Sequence, residues 1–116
     1  MLAPGSMITS SKISESIVCD GCIISGGNIW ESILSPGVIV ERDARVEQSV
    51  IFDDVIIEPG ANIRRAIVDK GSRLRASATI GYDREADERK GCTVSDSGIV
   101  VLPKGMDISR TEPSLL

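Results

Sequence analysis

The sequence contains no histidine, and aromatic residues make up only 3% of its 116 residues, with one Trp, one Tyr and one Phe. The absence of histidine excludes the Ser-His and Cys-His pairs of many nucleophilic enzymes and removes a common zinc ligand. Because aromatic side chains are so few, the core has to be built from smaller ones. Isoleucine and valine are frequent among the 41% hydrophobic residues, and these β-branched side chains favour strands.

Positive charge is not in excess either, since 13 Lys and Arg face 17 Asp and Glu for a net charge of −4. This balance does not favour nucleic acid or an anionic membrane, so we expect neither as a partner. No apolar run is long enough to cross a bilayer, and no stretch resembles a signal peptide. We therefore expect a cytoplasmic protein.

Cysteine occurs at three positions, Cys19, Cys22 and Cys92. An odd number of cysteines without a secretion signal predicts reduced thiols. Cys19 and Cys22 have the C-x-x-C spacing, but a zinc site needs two further ligands, and only Cys92 remains in a chain without histidine. We expect no metal site, and Cys22 is better explained as a small inward-facing residue.

What the chain has in abundance is repetition. Four similar segments follow one another at intervals of about 17 residues, a spacing close to that of solenoid repeats. The segments are Glu15 to Ile24, Glu31 to Val40, Gln48 to Ile57 and Arg65 to Leu74.

Within each copy, a large aliphatic residue recurs about every six residues and has a small residue two positions before it. Strand side chains alternate between faces, so both members of each pair face the same way, into the coil. The large positions are Val18, Ile24, Ile29, Leu34, Val40, Val46, Ile51, Ile57, Ile63, Val68, Leu74 and Ile80. The small positions are Ser16, Cys22, Gly27, Ser32, Val38, Ala44, Ser49, Val55, Ala61, Ala66, Ser72 and Ala78.

Turn-forming residues separate these pairs at two corners of each turn, as at Pro36-Gly37 and Pro59-Gly60. The third corner is one residue shorter. The pattern predicts an all-β fold, a parallel β-helix with three sides, about four turns and one additional C-terminal strand at Ile99 to Leu102. Glu58 points outward in this register, so we expect its replacement by lysine to be nearly silent.

Three segments follow from these patterns. Residues 1–11 are interpreted as a linker or vector-derived residues, and residues 12–81 as the β-helix repeats. Residues 82–116 are interpreted as a charged loop, a terminal strand and a tail, because Tyr82 to Lys90 is dense in charge and leaves the repeat. The charged stretch itself fits either a loop or a short helix, and most simply a solvated face.

The stretch 12–106 combines several short motifs in a fixed order. They are Lys12-Ile13-Ser14, Ser16 to Gly26, Ser32 to Val38, Arg64 to Gly71, Ile80-Gly81 followed by Asp83, Glu85 and Asp87, and Gly98 to Gly105. In this combination the stretch resembles the C-terminal domain of bacterial glucose-1-phosphate adenylyltransferases, a left-handed parallel β-helix. Hexapeptide repeats alone are shared by many acyltransferases, so the ordered combination carries the resemblance.

The resemblance implies a parent enzyme that transfers AMP from ATP, with Mg, to glucose 1-phosphate for glycogen synthesis. Its catalytic domain precedes the β-helix, and neither G-x-G-x-x-G nor G-x-x-x-x-G-K-[ST] occurs here. We therefore expect a fragment with no catalytic residue and no cofactor of its own. Its implied partners are its own N-terminal catalytic domain, like subunits in a homo-oligomer, and a phosphorylated small-molecule effector.

A local concentration of basic residues gives this effector a candidate site. Arg64, Arg65, Lys70, Arg73 and Arg75 fall within one turn of the coil, and Arg64-Arg65 stands at the short corner. By resemblance, Arg64, Arg65 and Lys70 bind the effector. On composition alone the same residues fit a solvated basic corner offset by nearby carboxylates.

Outward-facing aliphatic residues form two rows that predict an interface. Ile17, Ile33, Val50 and Ile67 form one row, and Ile23, Ile39 and Ile56 form the other until Arg73 interrupts it.

Other functions share this coil. A hexapeptide acyltransferase and a γ-type carbonic anhydrase both depend on histidine, which is absent. The β-helix of another sugar-phosphate nucleotidyltransferase and a stand-alone β-helix scaffold protein remain as alternatives.

Overall fold

The computed structural model describes residues 2, 5–9 and 11–109, most of which lie in short strands joined by tight turns. The chain changes direction after each strand, and a strand pairs in parallel with its counterpart one turn later. It therefore winds as a three-sided coil. The predicted fold class, a left-handed parallel β-helix of hexapeptide repeats, is confirmed.

The three sides are three sheets. Sheet I contains β1 (Met7–Thr9), β4 (Ile23–Ser25), β7 (Ile39–Val40), β10 (Ile56–Ile57), β13 (Arg73–Leu74) and β17 (Asp107–Ile108). Sheet II contains β2 (Lys12–Ser14), β5 (Asn28–Trp30), β8 (Arg45–Glu47), β11 (Asn62–Arg64) and β14 (Thr79–Ile80). Sheet III contains β3 (Ile17–Val18), β6 (Ile33–Leu34), β9 (Val50–Ile51), β12 (Ala66–Val68), β16 (Val100–Leu102) and the antiparallel β15 (Thr93–Val94).

The core fills the inside of this coil. Every large inward residue predicted from the repeat is at most 1% exposed, and the small companions are buried as well. Gly27 stands where other turns carry Ala44 or Ala61, and a Cβ there would lie 2.7 Å from Cγ1 of Val40. The first turn therefore requires glycine at this place.

The three kinds of corner differ in length, as the repeat predicts. Two of them are tight turns that contain a residue with positive φ, such as Gly37 (+79°) or Asp43 (+59°). The corner between sheets II and III is a single residue with φ of 47–49°, at Glu15, Glu31, Gln48 and Arg65. We call this row of single residues the short corner.

The coil extends beyond the predicted boundaries at both ends. β1 pairs in register with β4, and Ile8 packs against the core, so the placement of residues 1–11 outside the coil needs correction. Residues 1, 3, 4 and 10 of that segment lie outside the described residues. At the other end, β16 continues sheet III and β17 continues sheet I, so 82–116 contains two further strands of the coil. The predicted tail from 110 onward lies outside the described residues.

The charged stretch after Gly81 contains a helix, α1 (Arg84–Arg89), which is the second of the two interpretations, a loop or a short helix, that its sequence left open. Asp83 caps it by accepting a hydrogen bond from the backbone N–H of Ala86, a common way for a helix to begin. The chain leaves the coil at Gly81 and returns before β16. We call residues 82–98 the excursion.

Candidate functional site

The short corner is a row of backbone conformations that side-chain-bearing residues rarely adopt. Hydrogen bonds between successive turns hold it in place. The backbone N–H groups of Glu31, Gln48 and Arg65 donate to carbonyl oxygens one turn earlier, at 2.9–3.0 Å. In each case the acceptor is the last residue of a sheet II strand, namely Ser14, Trp30 and Glu47. These bonds fix the direction in which the chain enters sheet III.

A row of buried serines lies just inside this corner. The Oγ of Ser16, Ser32 and Ser49 each donates to the carbonyl two residues earlier, at 2.7–2.9 Å. Each Oγ also accepts, at 3.1 Å, from the backbone N–H at the equivalent position of the next turn. The repeat identified these serines as small residues, but their hydroxyls also supply hydrogen bonds that alanine would not.

The excursion begins and ends at the short corner. A Cβ on Gly81 would lie 1.8 Å from the carbonyl oxygen of Arg64, and φ there is +93°, so only glycine fits at the point of departure. At the return, the backbone N–H of Val100 donates to the carbonyl of Arg65. The residues just before and just after the excursion therefore contact the backbone carbonyls of Arg64 and Arg65.

The side chains of the two arginines also contact the excursion. The guanidinium carbon of Arg64 lies 5.9 Å from the centre of the Tyr82 ring, a cation–π distance. Nη2 of Arg65 donates to the carbonyl oxygen of Ser97 at 2.7 Å. The repeat placed both arginines at the short corner. Arg65 occupies that corner, whereas Arg64 is the last residue of β11 in sheet II. Nothing in the sequence pointed to Tyr82 or Ser97 as their partners.

The remaining basic residues of the predicted cluster are separated from this pair. Lys70 is exposed at the opposite end of β12, one full side of the coil away. Arg73 pairs with Glu58, and Arg75 makes two bonds to Asp107 at 2.7 and 2.8 Å. The hydrogen bond from Arg73 holds the pKa of Glu58 below its usual range, and that from Arg75 lowers the pKa of Asp107.

A shallow groove of about 320 Å³ lies beside Arg65 on the outer face of sheet III. Its lining is largely aliphatic on the sheet side, from Val50, Ile67 and Ile99, with Gln48 at the corner.

The buried ionisable groups do not form a reactive centre. Burial raises the pKa of the Cys92 thiol to about 11 and also raises the pKa of Cys22, so both thiols are protonated near neutral pH. Asp87 is buried and accepts a hydrogen bond from Gly81. Among the described residues, no three His, Cys, Asp or Glu side chains are grouped closely enough to hold a metal ion.

Comparisons with known proteins agree with this architecture. The family model described as GlmU-like, C-terminal hexapeptide matches residues 3–102. The acetyltransferase domain of PglB from Neisseria gonorrhoeae, solved with acetyl coenzyme A, superposes with a TM-score of 0.54 over 97% of this chain and 56% of that one. At 19% identity, this likeness concerns the fold alone.

Among curated proteins, the chain is 46% identical over 91 residues to a glucose-1-phosphate adenylyltransferase of Rhodopirellula baltica, covering 78% of this chain and 20% of the relative. It is 50% identical over 100 residues to one from Anaeromyxobacter sp. strain Fw109-5, covering 86% of this chain and 23% of the relative. The chain thus spans about a fifth to a quarter of the length of these relatives.

No helix in the described part of the chain has the length and apolar character needed to cross a membrane. The resemblance to glucose-1-phosphate adenylyltransferases is confirmed by the similarity over most of the chain. With its hexapeptide coil in register and 3–102 matched by the family model, the chain belongs to the GlmU-like, C-terminal hexapeptide family.

Proposed function

We propose that this chain is the C-terminal β-helix domain of a cytoplasmic glucose-1-phosphate adenylyltransferase. In that reaction a phosphate oxygen of glucose 1-phosphate attacks the α-phosphorus of ATP, forming ADP-glucose for glycogen synthesis and releasing pyrophosphate. The observation that carries the proposal is the 46–50% identity to two such enzymes over most of this chain.

The chemistry itself belongs to another part of the longer protein. This chain has no glycine-rich phosphate loop of either common type, and no three His, Cys, Asp or Glu side chains cluster among its described residues. ATP, Mg and glucose 1-phosphate would bind in a separate N-terminal catalytic domain. The role left for the β-helix is to join subunits of a homo-oligomer and to regulate them.

For regulation, Arg64 and Arg65 are the residues best suited to a phosphorylated effector. None of the ion pairs among the described residues involves either of them, whereas Arg73 and Arg75 are paired with carboxylates. Arginine binds phosphate oxygens through charge-assisted, bidentate hydrogen bonds. Lys70 would make a separate, weaker contribution because it lies five residues beyond Arg65, past the end of β12, which is up to about 16 Å of chain at ~3.3 Å per strand residue.

The connection to the excursion suggests how binding would be transmitted. An effector phosphate at Arg65 would compete with the Ser97 carbonyl for the same guanidinium, and one at Arg64 would change its stacking on Tyr82. Both ends of the excursion would then respond to occupancy of the same corner.

The test uses the adenylyltransferase that carries this chain and measures ADP-glucose formation against effector concentration. In the Arg64→Ala/Arg65→Ala variant, the effector concentration needed for half-maximal activation should rise by about tenfold or more, with unchanged basal turnover. Arg42→Ala, which removes an exposed cation at a different corner, should leave the curve in place. Lys70→Ala should shift it less than the double variant. An unchanged activation curve in the double variant would show that neither arginine binds the effector.

A further inference from the structure

The outer face of sheet II differs from the other two because it is polar and yet carries the chain's only tryptophan. One column of outward residues along the coil is Lys12, Asn28, Arg45, Asn62 and Thr79, and the other is Ser14, Trp30, Glu47 and Arg64. Trp30 is 45% exposed. The aliphatic rows lie on sheets I and III, so Trp30 is not part of them.

Trp30 has polar neighbours on every side that the register defines. Ser14 lies one turn before it and Glu47 one turn after it, with Asn28 beside it on the same strand. Leaving a large aromatic surface in water is unfavourable. An indole presented on a flat polar face is therefore a candidate binding surface rather than a packing element.

A shallow pocket of about 210 Å³ lies beside this indole, and its lining consists of Trp30, Lys12, Ser14, Asn28, Ile29, Arg45 and Glu47. Drug-sized ligands usually occupy about 300–1,000 Å³, so this pocket fits a single ring. Its lining includes donors in Lys12 and Arg45, an acceptor in Glu47, and groups that do both in Ser14 and Asn28. Such a mixture matches a ring with one apolar face and a rim of hydroxyl groups.

The lining carries both signs of charge, with Lys12 and Arg45 beside Glu47 on the strand next to that of Trp30. A neutral ligand with many hydroxyl groups can hydrogen-bond all three groups, whereas a phosphate would meet the Glu47 carboxylate as well as the two cations. A wholly apolar ligand would bury the charges of Arg45 and Glu47 without partners.

A second exposed aromatic residue, Tyr82 of the excursion, stands beside the far end of this column. Tyr82, 49% exposed, stacks with Arg64, which is two strands beyond Trp30. Two strand spacings are about 10 Å, enough for more than one sugar ring. Glu47, Arg45 and Arg64 also influence the pKa of the Tyr82 hydroxyl, which burial raises, so the two aromatic side chains border the same group of charges.

We propose that the outer face of sheet II binds a neutral pyranose oligosaccharide, with one ring stacked on Trp30 and the chain directed along the column toward Tyr82. Glu47, Asn28 and Arg45 hydrogen-bond the ring hydroxyls. The Trp30 end of this site is separate from the groove beside Arg65 on sheet III, whereas its far end shares Arg64 and Tyr82 with the proposed effector site. The sugar proposal does not depend on the proposed enzymatic parent.

The single tryptophan makes the test direct, because the intrinsic tryptophan emission of the chain comes from Trp30 alone. Maltoheptaose and cellohexaose, two glucose oligomers of different linkage, are titrated into the 116-residue chain, with sodium phosphate as the anionic comparison. A saturable change in emission with either sugar, and none with phosphate, supports the proposal. No saturable change with either sugar, or saturation by phosphate instead, overturns it.

Variants assign the site. Asn28→Ala and Glu47→Ala keep the tryptophan and should weaken binding of the responding sugar by about tenfold. Phe52→Ala removes an exposed aromatic residue outside sheet II and should bind like the unmodified chain.

Trp30→Ala is tested by mobility in a native gel containing glycogen or soluble cellulose, according to which sugar responded. Retardation in that gel should disappear while the melting temperature stays unchanged, since Trp30 is exposed. Binding equal to that of Phe52→Ala in all three site variants would place the sugar elsewhere and overturn the assignment.

Discussion

At the scale of single residues, the buried serines of the short corner connect sequence to stability most directly. Each serine hydroxyl joins two turns, because it donates within its own turn and accepts from the next one. The row ends at Ala66, which has no hydroxyl to offer, and here the N–H of Val100 donates to the carbonyl of Arg65 instead. The serines therefore contribute hydrogen bonds that the coil geometry alone does not provide.

Replacing Ser32 with alanine should lower the free energy of unfolding by about 1–3 kcal/mol, because the buried N–H of Ser49 loses its acceptor. Chemical denaturation of the chain measures this. Ser25→Ala, at an exposed position in β4, is the matched control and should change the free energy by less than about 0.5 kcal/mol. Equal effects of the two substitutions would contradict a hydrogen-bonding role for the inner serines.

The inward register of each strand can be tested with one kind of substitution on two faces. Ile57→Asp places a carboxylate among stacked aliphatic side chains and should unfold the chain or destabilise it by several kcal/mol, at least ~3. Ile56→Asp, on the adjacent residue, faces outward next to Arg73 and should be tolerated. Thermal unfolding by circular dichroism distinguishes them, and similar melting temperatures would contradict the observed register.

Glu58 shows where the alternating pattern is insufficient. The pattern places it outward, which predicts that a lysine would be tolerated. The structure instead places its carboxylate between Arg73 and Arg75, where Oε1 also accepts from the N–H of Ala76. A lysine there would add a third cation beside two others. Given these contacts, we expect Glu58→Lys to destabilise the chain rather than to be silent, since alternation fixes the direction of a side chain but not its neighbours on the next turn.

At the scale of elements, the strands of the coil were predictable and the excursion was not. A strand such as β10 is fixed by a local pair, Val55 and Ile57, repeated one turn before and after it, so each copy supports the others. Helix α1 has no counterpart in other turns, and its charged sequence indicated only a solvated segment. Asp87 was expected among exposed charges, yet it is 1% exposed and accepts from the N–H of Gly81.

In the candidate site, likewise, the positions of the basic residues were predictable from the sequence and their contacts were not. The repeat predicts that Arg64 and Arg65 stand at the short corner and that Lys70 stands at another, because corner positions follow from the period. The contacts of the arginines with Tyr82 and Ser97 depend on how the excursion folds back over the corner. No repeat describes that path, so these partners could not be found from the sequence.

The burial of Asp87 gives α1 a specific pH dependence. Burial raises the pKa of Asp87, with a smaller contribution from Asp83, while the N–H of Gly81 and the charge of Lys90 oppose the shift. As pH rises from the ordinary aspartate value to the raised one, the unfolded chain releases its proton while the folded chain keeps it. Folding therefore becomes less favourable across this interval.

Asp87→Asn removes the buried charge and keeps an oxygen that can accept from Gly81. Its melting temperature relative to the unmodified chain should increase as pH is raised from about 3 to 7. Thermal unfolding at several pH values measures this difference. Asp83→Asn, at the exposed cap of the same helix, serves as the control for charge removal without burial. A difference that stays constant with pH would contradict a raised pKa for Asp87.

At the scale of the whole molecule, the coil has two aliphatic faces and one polar face. On sheet III the outward residues Ile17, Ile33, Val50, Ile67 and Val101 stand in register on successive turns. On sheet I the row of Ile23, Ile39 and Ile56 ends at Arg73, as predicted. Contiguous apolar surface of this kind usually marks an interface, and its placement leaves sheet II free for a soluble ligand.

Sheet III is the face on which we expect copies of this chain to associate. Its row is the longer of the two, and Ile17, Ile33 and Val101 remain 39–45% exposed. A standard interface needs roughly 800 Å² from each partner, a modest part of the 6500 Å² accessible surface of the chain.

Sedimentation equilibrium should therefore detect concentration-dependent association, and Ile33→Lys should weaken it by about tenfold or more, because a charge would be buried at the centre of the contact. Asn62→Lys adds the same charge to the polar face and should leave association unchanged. Both sites face outward, so each substitution should change the free energy of unfolding by less than about 0.5 kcal/mol. Since 1 kcal/mol shifts the melting temperature of a chain near this size by about 4–8 °C, the melting temperature should fall by no more than a few degrees. A chain that stays monomeric at every concentration, or an Ile33→Lys variant that associates like Asn62→Lys, would assign the aliphatic row to a different partner.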